Sequence, residues 1–218
     1  MKVLVIGANG KIGSILMKKL HKTTHPPRGM YRELAQINRL PTQDMDTVVG
    51  DLEGDFDNAF QGIDAVVFTA GSGGHTPAEK TDLVDRRGAK KAIDLAIKHN
   101  VKRFIMVSAL GADRPSHEWP NSMAHYFAAK ADADQHLRQS NLDYTILMPG
   151  MLNDDHGTNN VEMGEVISRK TGSITRTDVA TVIQACLDHE GTYQKSLKML
   201  NGDTPIPVAL EELDAVIA

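Results

Sequence analysis

Short unbroken apolar blocks alternate along the chain with longer stretches in which apolar positions return at helical spacing. The block "AVVFT" is continuous and β-branched, as expected of a strand buried on both faces. The pattern predicts strands at 2–6, 28–32, 47–50, 65–69, 103–108 and 143–148, with another near 197–200. Helices are predicted at 11–21, 83–100, 122–140, 176–188 and 207–217. In the second of these Val84, Gly88, Ala92, Ile93, Ala96 and Ile97 share a face, and Asn100 stands where the helix would stop. Strand–helix alternation with right-handed crossovers implies an α/β fold: a Rossmann-like doubly wound parallel sheet with helices on both faces and a small C-terminal appendage. One domain spanning 1–218 is the simplest organisation. Residues 149–175 are rich in glycine, asparagine and aspartate and lack periodicity, so they read as a loop-dominated lid over the C-terminal edge of the sheet.

Composition narrows the functional classes. With 41% apolar and 24% charged residues, the chain falls among ordinary globular proteins. A net charge of -4 with no basic run argues against nucleic acid as a partner. No apolar run approaches the roughly 18 residues of a membrane span, so no membrane partner is expected and a cytoplasmic location is the default. A small-molecule substrate remains, with a monomer or homodimer as the expected state. Cys186, the single cysteine, lies in the apolar run "VATVIQACL" and reads as a small buried hydrophobe. His75, His117, His125 and His156 have no metal-ligand spacing, and no metal site is expected. Of the methionines, mostly core filler, Met148 and Met151 are read as lining a substrate pocket.

The chemistry begins at "VLVIGANGKIG". Gly7 can turn the chain off the first strand, Gly10 lets a pyrophosphate approach the backbone, and Gly13 lets the helix pack closely on the strand. Asn9, Lys11 and Ile12 complete the turn, and the helix start offers unpaired N–H groups to an anion. The second strand ends at "GMYRE", where a carboxylate would bind the ribose hydroxyl of NAD and an arginine the 2′-phosphate of NADP. Arg32 occupies that place, followed by Glu33, and Lys11 supplies a second cation. NADP(H) is preferred, with NAD(H) possible.

These stretches resemble the short-chain dehydrogenase/reductase superfamily in its extended and atypical branches, and most closely the small NAD(P)H-binding, NmrA-like group. The likeness covers about two thirds of the chain in order. It implies that Asp51 and Leu52 in "GDLEG" contact adenine, and that Ala70, Gly71 and Ser72 in "FTAGSGG" pass over the cofactor. Pro149 and Gly150 in "LMPGM" resemble the turn near the nicotinamide, with Met148 in place of the family's arginine. "YFAAK" resembles the Tyr-x-x-x-Lys motif, which makes Tyr126 the general acid and Lys130 the residue that holds the ribose and lowers the tyrosine pKa. Their i, i+4 spacing puts both on one helix face. Ser108 stands at the end of the fifth strand as the third catalytic candidate, although many extended members use the following position, here Ala109. The resemblance implies an NADP-dependent oxidoreductase acting on a small carbonyl, quinone or flavin-like substrate. A non-catalytic redox sensor and a nicotinamide-dependent epimerase or lyase are the alternatives.

Overall fold

The computed structural model describes residues 1–40, 44–73 and 77–214. In chain order the regular elements are β1 (Val3–Ile6), α1 (Lys11–Leu20), β2 (Pro27–Tyr31), α2 (Leu34–Ile37), β3 (Asp46–Val49), β4 (Ala65–Phe68), α3 (Ala78–Thr81), α4 (Ala89–Lys98), β5 (Arg103–Val107), α5 (Ala124–Arg138), β6 (Asp143–Pro149), β7 (Met151–Asn153), β8 (Asn160–Gly164), β9 (Ser173–Thr175), α6 (Arg176–Cys186), β10 (Lys195–Asn201), β11 (Thr204–Pro205) and α7 (Ile206–Asp214). Nine strands form one sheet in the order β11-β8-β10-β6-β5-β4-β1-β2-β3. From β3 through β10 every pair is parallel, while β8 runs antiparallel to both β10 and β11.

β1 explains why the sheet needs helices on both sides. All four of its residues are buried. Val3 and Val5 pack with Ile12, Leu16 and Leu20 of α1 and with residues of α6 and α7. Leu4 and Ile6 face the other way, onto Ala92, Ile93 and Ala96 of α4 and Leu137 of α5. Strand order reverses between β1 and β4, and such a switch point leaves a crevice at the carboxyl ends of the strands.

Two expectations are corrected. The predicted helix at 83–100 is composite: α3 leads into a π-helical segment, Asp82–Gly88, and only then into α4. One apolar stripe serves both geometries over so short a span, so periodicity does not separate them. The segment 149–175 contains β7, β8 and β9 rather than loop alone. These strands are short and polar-flanked, and they form because β10 offers β8 a free edge and β7 pairs with β9. The segment is also tied down. The fully buried carboxylate of Asp178 accepts the N–H groups of Thr158 at 3.0 Å and Asn159 at 2.8 Å. α7 ends at Asp214, and the remainder of its predicted span lies outside the described residues.

Candidate active site

The carboxyl ends of β1, β2, β4, β5 and β6 open into one cleft of about 1570 Å³. Its floor at one end is the glycine corner. Gly7 has φ +91, and an added Cβ would lie 2.7 Å from the Ala70 nitrogen. Gly10 N–H closes the turn onto the Gly7 carbonyl at 2.8 Å. A Cβ at Gly13 would lie 2.2 Å from that same oxygen, so α1 can dock on β1 only with glycine there. Gly10 differs: its Cβ would meet only the Gly7 oxygen, at 3.1 Å, leaving the side facing the cleft open. No side chain caps the start of α1. Its first-turn N–H groups therefore point at the cleft without an internal partner. An open backbone cradle at an uncapped helix start fits a dinucleotide's phosphates.

Arg32 lines the cleft at the end of β2 and is exposed. Its backbone N–H donates to Gln36 Oε1 at 3.0 Å. Its guanidinium has no partner among the described residues. Lys11, read as a second free cation, is engaged. Its Nζ lies 2.5 Å from Asp154 Oδ2, and the other oxygen of Asp154 accepts Arg176 Nη1 at 2.6 Å. The bond from Lys11, joined by Arg176, holds the Asp154 carboxyl below the usual carboxylate range.

At the other end of the cleft α5 presents a polar stripe on its buried face. Tyr126, Lys130 and Asp134 follow one another at intervals of one helical turn. Tyr126 lines the cleft, and its hydroxyl has no hydrogen-bond partner among the described residues. Behind it the Lys130 ammonium stands 5.8 Å from the Tyr126 ring centre. It approaches the Val107 carbonyl at 3.4 Å and forms an ion pair with Asp85 Oδ1 at 3.0 Å. The pair's alignment falls short of a hydrogen bond, which leaves that oxygen with acceptor capacity to spare. Removing one member of such a buried pair typically costs ~3–5 kcal/mol, because the other charge is stranded.

Three titrations are displaced here. Burial raises the Tyr126 phenol above its ordinary value, with Lys130 pulling it down and Asp85 and Asp134 pushing it up. Burial alone would lower the Lys130 ammonium, but Tyr126 and Asp85 outweigh it and the net direction is upward. Burial pushes the Asp134 carboxyl up to about 6, against the hydrogen bond from Ser108 and the charges of Arg138 and Lys130.

Ser108 is where the expected triad departs most. Its hydroxyl donates to Asp134 Oδ2 at 2.5 Å, and the residue is 4% exposed. Its single proton is thus directed into the protein rather than to a ligand in the cleft. Asp134 Oδ1 has no hydrogen-bond partner.

Comparison with known proteins places the chain in a family. The profile of the NAD(P)H-binding family matches residues 7–190. The chain belongs to the NAD(P)H-binding family. Within the short-chain dehydrogenase/reductase-like group, it is 42% identical over 217 residues to the uncharacterized sugar epimerase YhfK of Bacillus subtilis (strain 168), covering 98% of this chain and 100% of that one. Among solved structures, a putative NAD-dependent epimerase/dehydratase from Bacillus halodurans superposes with a TM-score of 0.92 at 46% identity, covering 97% and 99% of the two chains. The oxidoreductase ylbE from Lactococcus lactis superposes with a TM-score of 0.87 at 31% identity, covering 99% and 97%.

Most of the residues expected to form the site of this NAD(P)H-binding protein meet in the single cleft: Gly7, Asn9, Gly10, Lys11 and Ile12; Arg32, Asp51 and Leu52; Ala70 and Gly71; Ser108, Tyr126 and Lys130; Pro149 and Gly150. Gly13 and Ser72 stand behind it. Ser72 donates its N–H to Asp85 at 2.9 Å and shares a hydrogen bond with the Thr81 hydroxyl at 3.1 Å. Met151 lines the cleft, but Met148 does not: it is fully buried in the core beneath β6. Sequence reasoning missed Asp85, Asp134, Trp119 and Arg176. Of these Asp134 had a signal, its place one turn after Lys130 on the Tyr126 face.

Cys186 is fully buried, and its thiol is pushed up to about 12 by burial. Among the described residues no group of three or more His, Cys, Asp or Glu side chains could hold a metal, and no helix is long and apolar enough to cross a membrane. His117 and His156 are exposed. His125 bonds the Ala78 carbonyl at 2.7 Å, and His75 lies outside the described residues.

Proposed function

We propose that the protein is an NADP(H)-dependent oxidoreductase that reduces a small carbonyl, quinone or flavin-like substrate, with Tyr126 as proton donor. One observation carries this reading. The unpartnered Tyr126 hydroxyl, with a buried ammonium behind it, faces the same cleft as the glycine corner and the unpaired Arg32 guanidinium. The nicotinamide, when bound, supplies the hydride. Arg32 takes the 2′-phosphate as a bidentate donor, and Gly7, Asn9, Gly10, Ile12 and Gly13 form the pyrophosphate seat. Lys11 exchanges Asp154 for phosphate. Asp51 and Leu52 hold the adenine, and the loop 70–72 with Pro149 and Gly150 confines the nicotinamide end. Lys130 holds the ribose. Tyr126, its phenol raised by burial, stays protonated at neutral pH, as an acid in the direction of reduction must. Ser108 is committed to Asp134 and supports the floor of the site without donating to substrate. Trp119 and Phe127, with ring centres 6.0 Å apart, line the same cleft and suit a flat conjugated substrate.

The family membership and the likeness to the oxidoreductase ylbE of Lactococcus lactis support reduction. The likeness to the sugar epimerase YhfK and to the epimerase/dehydratase of Bacillus halodurans favours a second reading, an epimerase or dehydratase that would consume no net cofactor. Calorimetry with NADPH, followed by a panel of quinones, aldehydes and flavins read by nicotinamide absorbance, separates these readings. Tight NADPH binding with stoichiometric oxidation by one substrate class is the expected result. Tight binding with no net oxidation across the panel overturns the reductase and leaves a sensor or an epimerase.

A further inference from the structure

The counter-ion of Lys130 comes from an unexpected element. Asp85 lies neither on α5 nor on a strand but in the π-helical segment Asp82–Gly88. A π turn carries an extra residue, which swings side chains off the α-helical stripe, and such turns are frequent at functional sites. Here adjacent residues Val84 and Asp85 are both buried. The Asp85 and Lys130 side chains are 0% and 5% exposed, so water screens neither charge. The second carboxylate oxygen of Asp85 accepts the Ser72 N–H at 2.9 Å. Gly71 lets the loop pass close by, since a Cβ there would stand 3.2 Å from Asp85 Oδ1. One carboxylate thus joins the loop after β4, part of which lines the cleft, to the lysine on α5.

We propose that Asp85 is a positioning residue for Lys130, fixing its ammonium beneath the cleft and linking it through Ser72 to the loop 70–72. This rests on the reading of Tyr126 and Lys130 as the proton-transfer pair. The groups facing Lys130 are Asp85 from the π-helical segment and Tyr126 and Asp134 from α5. Without Asp85 the carboxylate left facing the ammonium among the described residues would be Asp134, which already accepts the Ser108 hydroxyl. Burial would then drive it toward the neutral amine. Asparagine keeps an oxygen for the Ser72 N–H and removes the charge, whereas alanine removes both.

The test is an NMR titration of the lysine side chains in Asp85→Asn, with the Lys130 signal assigned by its loss in Lys130→Met, alongside NADPH calorimetry for Asp85→Asn and Asp85→Ala. Lys130 is expected to titrate at least about two units lower in Asp85→Asn than in the native protein. NADPH affinity is expected to fall several-fold in Asp85→Asn and further in Asp85→Ala. With an active substrate, kcat in Asp85→Asn gains a pH limb at the new Lys130 midpoint, which lost packing alone would not produce. An unmoved Lys130 midpoint in folded Asp85→Asn overturns the proposal. Should that variant not fold, Asp85→Asn combined with Lys130→Met removes both charges and is expected to recover the fold; failure to recover overturns the pairing. None of these primary readouts needs turnover. A native protein that binds NADPH and reduces nothing therefore removes the reductase reading while the titration still decides Asp85.

Discussion

The two ends of the cleft are built on opposite principles. At the glycine end the protein offers backbone and exposed cations, with Gly10 open toward the cleft and the Arg32 guanidinium unpaired among the described residues. At the α5 end it encloses charges of its own, with Lys130 against Asp85, and Ser108 against Asp134. The first end is left incomplete for a ligand to complete. The second holds its charges in an ion pair and a hydrogen bond of its own, and the Tyr126 hydroxyl faces the cleft without a partner among the described residues. Substitutions at the first end should therefore change affinity and spare stability, while those among the enclosed groups should register in stability as well.

The sharpest break in that comparison lies within the glycine corner itself. Gly10→Val should lower NADPH affinity by roughly 100-fold or more, because the side chain enters the phosphate cradle, with the thermal midpoint little changed. Gly13→Ala should do the reverse, losing ~3 kcal/mol or more of stability, since its Cβ would meet the Gly7 carbonyl 2.2 Å away. Calorimetry and thermal unfolding on both variants check this. Equal behaviour of the two would mean that neither glycine serves a ligand.

Asp134→Asn tests the enclosed end through pH. The folded carboxyl sits at about 6 and the unfolded one near 3.9, so the folded state binds the proton more tightly. The Asp134 contribution to native stability is then greatest below about pH 4, falls as pH rises to about 6, and is level above that. Asparagine accepts the Ser108 hydroxyl without a charge to bury. It should stabilise the protein by about 2–3 kcal/mol at pH 8 and by close to nothing at pH 4. Denaturant unfolding at the two pH values measures the difference, and a pH-independent gain would contradict the buried-carboxylate explanation.

Arg32→Ala is the mildest of the set. NADPH affinity should fall about 30-fold, the ~2 kcal/mol of a charge-assisted hydrogen bond, and NADH affinity should stay as it was. Equal losses for both cofactors would remove the 2′-phosphate from the role of Arg32.

The same contrast decides what was legible beforehand. β1, β4, β5 and β6 are continuous apolar runs between helical patterns, and the glycine corner is local, so strand, turn and helix start all lie within a few residues of one another. β7 and β9 have three residues each and exist only through their pairing across the segment 149–175, which no local pattern encodes. The enclosed charges are harder still. Asp85 and Lys130 meet across two helices, and in sequence Asp85 sits in "DLVDRRG", where an acid beside two arginines reads as a solvated face. The π-helical geometry that turns it inward leaves no compositional trace. For Asp134 the clue was available: Tyr126, Lys130 and Asp134 share one face of α5 with Ala133 and Leu137, and charges on an apolar face need partners.

The most direct measurement is turnover of Tyr126→Phe with NADPH and an active substrate, with NADPH affinity determined on the same preparation. A proton-donating Tyr126 predicts a fall in kcat of roughly 10²–10⁴, with affinity within about twofold of the native protein. Turnover undiminished in Tyr126→Phe would contradict it.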